Sequence, residues 1–172
     1  LLLAHDIPAD VTVHAFLKPE PQQLRLLLRV PMKAMVDIEF PKRGPGYIDL
    51  ARADSFLRDA ARLWISDSVE LFEDDARLPP ATLLAARVSL PDDKSFASWE
   101  EAVAHVTGAR LPDATDLYWD QGMLDVLFEY PIRSDHSKFS LRSDLASLGI
   151  RVVTVLRFLP PGGAVRAFEF AG

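Results

Sequence analysis

Four histidines, His5, His14, His105 and His136, are the side chains best suited to metal or acid–base chemistry. His5 follows Leu1-Leu2-Leu3-Ala4. If Ala4 is the last residue of a cleaved signal, His5 presents a free α-amine beside its imidazole. Those two nitrogens can chelate one divalent ion, and imidazole nitrogen suits copper, nickel and zinc. His14 is the candidate third ligand, and Asp6 could add an oxygen. His5 and His14 are therefore the metal-ligating candidates, although a separation of nine matches no recognised ligand spacing. The plainer reading of His14 is a half-buried strand residue.

Three other groupings invite chemistry. Arg133-Ser134-Asp135-His136-Ser137 places a hydroxyl, a carboxylate and an imidazole together. Hydrolytic triads are assembled from separate elements, however, and no Gly-x-Ser-x-Gly elbow is present. Asx and serine turns account for the same residues. His105 lies four residues after Glu101, the spacing of a helical surface ion pair. Asp74-Asp75 and Asp92-Asp93 are acidic pairs, but they lack the alternating ligands and downstream Glu of a calcium loop. Arg43-Gly44-Pro45-Gly46-Tyr47 lacks the strand–loop–helix context of a phosphate-cradling loop and reads as a rigid turn.

The elements that must position these residues are mostly strands. Val11 to Leu17 and Leu24 to Val30 alternate apolar and polar residues around a proline-containing turn at Lys18 to Gln23. Pairing Leu17 with Leu24 puts all the apolar positions on one face. His14 then lies on the other face, across from Arg25, Leu27 and Arg29. A second hairpin is expected over Val69 to Leu90, turning at Asp74-Asp75 and interrupted by Pro79-Pro80. Met123 to Tyr130 is a strand with Leu124, Val126, Phe128 and Tyr130 inward. Lys138 to Leu141 is a short strand. Arg151 to Leu159 and Val165 to Phe170 form a hairpin around Pro160-Pro161-Gly162-Gly163.

Two helices interrupt the strands. The first is expected to be capped by Asp54, with a stripe of Phe56, Ala60, Leu63 and Trp64. The second opens on the capping box Ser98-Trp99-Glu100-Glu101, carries Trp99, Val103 and Val106 inward, and stops at Gly108. The fold class is mainly β (α+β): an antiparallel β-sandwich of about seven strands with two short helices.

Composition narrows the function. The chain has 172 residues, 49% hydrophobic, and no cysteine. Cysteine-ligated zinc, iron–sulfur clusters, disulfide scaffolds and thiol catalysis are excluded. A net charge of −6 argues against a nucleic-acid partner. No apolar run reaches the ~20 residues of a membrane span. Residues 1–4 read as a signal-peptide remnant and 5–172 as a single extracytoplasmic domain.

Four segments, read in order, resemble one family. They are Ala4-His5-Asp6-Ile7-Pro8, Phe40-Pro41-Lys42-Arg43-Gly44-Pro45-Gly46-Tyr47, Phe128-Glu129-Tyr130-Pro131-Ile132-Arg133-Ser134-Asp135 and Arg157-Phe158-Leu159-Pro160-Pro161-Gly162-Gly163. The sequence resembles the N-terminal extracytoplasmic half of HupE/UreJ-like bacterial membrane proteins over nearly its whole length. The resemblance implies a signal peptide, a soluble β-rich domain at the periplasmic face of the inner membrane, and transmembrane helices beyond residue 172. It also implies a link to nickel or cobalt transport. The residues expected to carry ion passage would lie in those helices, so none is transferred to this chain. The expectation is a non-catalytic periplasmic ectodomain, accessory to metal-ion transport and able to hold a nickel, cobalt or copper ion at His5 and His14. Its alternatives are a protein-interaction or envelope-binding module without a metal role, and a hydrolase using Ser134, Asp135 and His136.

Overall fold

The computed structural model describes residues 10–35, 37–145 and 151–171. The chain is mainly β with two α-helices. The described residues form eleven strands in three sheets, not about seven, and the pairing is not wholly antiparallel.

The first hairpin joins β1 (Val11–Glu20) to β2 (Gln23–Pro31). Its ladder runs out to Glu20 opposite Gln23, so the turn is only Pro21-Gln22. Leu17 therefore faces Leu26 instead of Leu24, and Ala15 faces Leu28. The register is displaced by two residues from the expected one. A two-residue slip returns every side chain to the same face, so burial alone cannot tell these registers apart. The length of the turn decides between them.

Two small strands, β3 (Lys42–Arg43) and β4 (Tyr47–Ile48), form a separate ribbon across the Gly44–Gly46 turn. The first helix, α1 (Asp54–Ala60), continues into a wider π turn over Ala61–Ile65. Asp54 is its first residue, not its cap, and no side chain caps it. Leu57, Ala60, Ala61 and Ile65 are buried, whereas Phe56 and Leu63 are exposed. The expected stripe is thus rotated, and of its members only Ala60 is fully inside.

Next come β5 (Val69–Glu73), β6 (Ala76–Arg77) and β7 (Thr82–Ser89). Asp74-Asp75 turns β5 into β6 as expected. The hairpin does not continue, because β7 leaves for another sheet. Pro79 and Pro80 lie at that crossing, and neither can donate a ladder hydrogen bond. A register shift between Leu83 and Ala85 turns Leu84 outward, so Ala86 and Val88 carry the inward face.

The second helix, α2 (Trp99–Thr107), forms as its capping box dictates. Glu101 N–H donates to Ser98 Oγ at 3.2 Å, and the Ser98 hydroxyl donates to Glu101 Oε2 at 3.1 Å. It buries Trp99, Ala102 and Val106.

The remaining strands are β8 (Met123–Pro131), β9 (Phe139–Ser143), β10 (Val152–Phe158) and β11 (Arg166–Ala171). The largest sheet has the order β11-β10-β1-β2-β8-β7. Within it β10 runs parallel to β1, from Val11 opposite Val152 to Leu17 opposite Phe158. The other described pairings are antiparallel. The second sheet is β6-β5-β9.

Both faces of the large sheet are covered over its middle strands. One face joins Leu24, Leu26, Leu124 and Phe128 to Leu57 of α1 and Leu71 of β5 in one apolar cluster. The other packs Phe16, Leu27 and Leu127 against Trp99, Ala102 and Val106 of α2. Each fully buried leucine adds roughly 1.5–3 kcal/mol. The middle strands therefore form a rigid platform, and the polar residues on the α2 side sit on it.

Candidate functional site

One rung of the large sheet carries an unusual row of polar side chains. Arg87 on β7 lies beside Asp125 on β8, then Arg29 on β2, then His14 on β1. Period-two alternation puts all four on the α2 face. Asp125 is wholly buried and Arg29 nearly so. Burying a charge is tolerable only when it is paired. Arg29 meets that condition twice. Its Nε and Nη2 donate to the two oxygens of Asp125 at 2.7 and 2.8 Å. Its Nη2 also donates to Asp93 Oδ1 at 2.8 Å, and Nη1 to the Asp93 carbonyl at 2.9 Å. The guanidinium covers the Phe96 ring at 4.2 Å.

Ser89 and His105 complete the cluster. Ser89 Oγ is 2.5 Å from Asp125 Oδ2 and 2.6 Å from His105 Nε2. His105 Nδ1 stands 3.7 Å from Asp93 Oδ2. A serine, a histidine and an aspartate are thus in contact, but not in nucleophilic order. A hydroxyl has one proton. Here that proton goes to Asp125, so the oxygen accepts from His105 Nε2–H. A general base would have to accept the serine proton instead. Ser89 is also 0% exposed. The cluster ties β7, β8, β2, α2 and the Asp93 loop together.

Electrostatics follow the geometry. Burial alone would raise the Asp93 carboxyl, but donation from Ser95 and from Arg29 brings it down to about 2. Burial likewise pulls Arg29 down, and its bonds to Asp125 and Asp93 more than restore it.

The sequence candidates fall in different places. His5 and the Leu1–Ala4 stub lie outside the described residues. His14 faces solvent beside Arg29 and Arg157 and lines a cavity of about 530 Å³ with them. Crowding by its neighbours, then the charges of Arg157 and Arg29, push the His14 imidazole below its ordinary value. Among the described residues no three His, Asp or Glu side chains are grouped to share a metal ion.

His105 does not pair with Glu101 as expected. Glu101 is held by Ser98, and His105 turns onto Ser89. In the Arg133–Ser137 loop, Ser134 Oγ accepts the backbone N–H of His136 at 3.1 Å, while the His136 ring is 78% exposed. That is turn chemistry. The loop is anchored by buried Glu73, which accepts the N–H of Arg133 at 2.9 and 3.0 Å and that of Ser134 at 3.1 Å. Burial raises the Glu73 carboxyl, but these donors and Ser137 outweigh it and leave it below the ordinary range.

Sequence reasoning missed Ser89, Asp125, Arg29, Asp93 and Glu73. A usable signal existed for one of them: Asp125 interrupts the otherwise apolar run from Met123 to Phe128. A charge there must be exposed or paired.

Of the segments behind the family resemblance, the described ones act in turns and strand ends. Gly44 and Gly46 take φ of +56° and +122° in the β3–β4 turn, and Gly162 takes +64° in the β10–β11 turn. No family model matches this chain, and no curated protein matches it significantly.

Proposed function

We propose that this chain is a non-catalytic recognition domain of a membrane protein, placed on the extracytoplasmic side. The resemblance to HupE/UreJ-like proteins supplies the membrane link and the link to nickel or cobalt transport. One observation supports the non-catalytic part: Ser89 and Asp125 are 0% exposed, and the Ser89 hydroxyl donates to Asp125 instead of to His105.

A second observation supports recognition. Among the described residues, the β5–β9 sheet and the large sheet read as a sandwich left open at one edge. Between β9 and the β10–β11 edge lies an apolar hollow of about 470 Å³, walled by Phe139, Leu141, Phe158, Phe168 and Phe170. Phe168 is half exposed there. Apolar surface of this kind marks contact sites. We assign it to the membrane-embedded part of the same polypeptide. A metal-accessory role would rest on His5 and His14, and the positive charges beside His14 oppose a cation at that residue.

The cysteine-free sequence makes the placement testable. Ala114→Cys puts one thiol on an exposed loop. In intact cells making the whole reading frame, a membrane-impermeant maleimide is expected to label it without lysis. Labelling only after lysis contradicts the extracytoplasmic reading.

A further inference from the structure

We propose that the cavity between His14 and the Asp93–Ala97 loop binds a small organic carboxylate, with Arg157 as its anchor. The cavity holds about 530 Å³ on the α2 face, beside the loop that leads into α2. Its walls are mixed. Phe96, Val155 and Met123 supply apolar surface, Arg157 and Lys94 supply positive charge, and His14 supplies an imidazole.

The charges at this cavity are unevenly balanced. Arg29 lines it too, but Asp125 and Asp93 already neutralise that guanidinium. Asp93 is the cavity's one carboxylate: its Oδ1 accepts from Arg29 and Ser95, and its Oδ2 stands 3.7 Å from His105 Nδ1. Arg157 is different. Its guanidinium lies 3.8 Å over the Phe16 ring and donates to the carbonyls of Ala97, at 3.1 Å, and Phe96. Among the described residues no carboxylate pairs with it, and burial alone acts on it, pulling it below its ordinary value. Glu169 shares this face opposite Val155 on β11, two strands from His14 and roughly 10 Å away.

A partly buried guanidinium without a counter-charge is held in place and ready for one. Arginine has five N–H donors, of which Arg157 gives two to carbonyls. Three remain, arranged to meet a planar carboxylate in a fork. Stacking on Phe16 fixes the plane of that fork before any ligand arrives, which lowers the ordering cost of binding. One unpaired guanidinium suits a monoanion. The apolar walls suit a short hydrocarbon or aromatic body behind the carboxylate, the usual make-up of a small-molecule site. His14 adds a hydrogen bond or, once protonated, a second charge.

The test is an NMR titration of the ¹⁵N-labelled chain with sodium benzoate, with sodium chloride at matched ionic strength as control. Saturating shifts are expected at His14, Lys94, Phe96, Val155 and Arg157, with an upward move of the His14 titration midpoint. Arg157→Lys keeps the charge but loses the fork, and is expected to weaken benzoate binding at least tenfold. Lys94→Ala, on the exposed rim, is expected to weaken it two- to threefold. Shifts centred elsewhere, an equal response to chloride, or undiminished affinity in Arg157→Lys overturn the proposal. Inorganic phosphate binding the same residues more tightly than benzoate overturns the carboxylate assignment. The wild-type shift map locates the site without either variant, so a variant that folds poorly does not alter that reading.

Discussion

Where a proton sits separates Ser89 from a nucleophile. The hydroxyl donates to Asp125, Asp125 is clamped by Arg29, and none of the three atoms involved meets solvent freely. Removing one partner of such a pair leaves a buried charge alone, at a cost of about 3–5 kcal/mol. Arg29→Ala takes the guanidinium away from the wholly buried Asp125, whereas Asp125→Ala would leave Arg29 paired with Asp93, so Arg29→Ala is expected to lower the unfolding free energy by that amount in urea titrations. The Arg110–Asp54 pair is the internal control. At 3.2 Å and with both side chains well exposed, it contributes less than about 1 kcal/mol. Asp54→Ala should barely move the urea midpoint. Little of this was legible in the sequence. Arg29 and Asp125 are 96 residues apart, and their pairing depends on which strands become neighbours. The loop at Arg133 to His136 gathers the right residue types within four positions, yet local turns satisfy it.

Two local signals were read correctly, the cap of α2 and the β10–β11 turn. Ser98 caps α2 because its hydroxyl and Glu101 satisfy each other within one turn. Ser98→Ala is expected to cost about 1 kcal/mol, read by thermal or chemical unfolding. Gly162 sits at φ +64° in the β10–β11 turn with open space around its Cα. Gly162→Ala should cost about 1 kcal/mol through backbone strain alone, without a clash. The apolar faces of β1, β2 and β8 were legible too, since period-two alternation survives a two-residue slip. Three things were not. The β1–β2 register depended on turn length. The α1 stripe was displaced where the helix widens at Ala61–Ile65. The parallel contact of β1 with β10 joins segments about 140 residues apart, and no local pattern encodes it.

At the scale of the whole molecule, acid should loosen the fold in a defined window. Glu73 lies below its ordinary 4.5, and Asp93 drops from 3.8 to about 2. Lowered carboxyl values mean that the unfolded chain binds more protons in this range, so stability rises with pH there. The contribution of both groups is complete above about pH 5 and is lost as pH falls from about 4.5 toward 2. A thermal-unfolding series across pH 2–7 is expected to show that slope, and Glu73→Gln should flatten its upper part. The mainly β class was legible from alternation. The proposed open edge among the described residues was not, because it depends on a second sheet of three strands beside one of six. That open edge is central to the proposed recognition role, and a labelling rate measures it directly. Phe168→Cys places a single thiol in the hollow, and Ala114→Cys places one on a distant exposed loop. Maleimide labelling of each would be followed in the 172-residue chain and in the longer membrane polypeptide that the proposal requires. Labelling of Phe168→Cys is expected to slow at least tenfold in the longer polypeptide, while that of Ala114→Cys is unchanged. Equal rates for Phe168→Cys in both settings would contradict it.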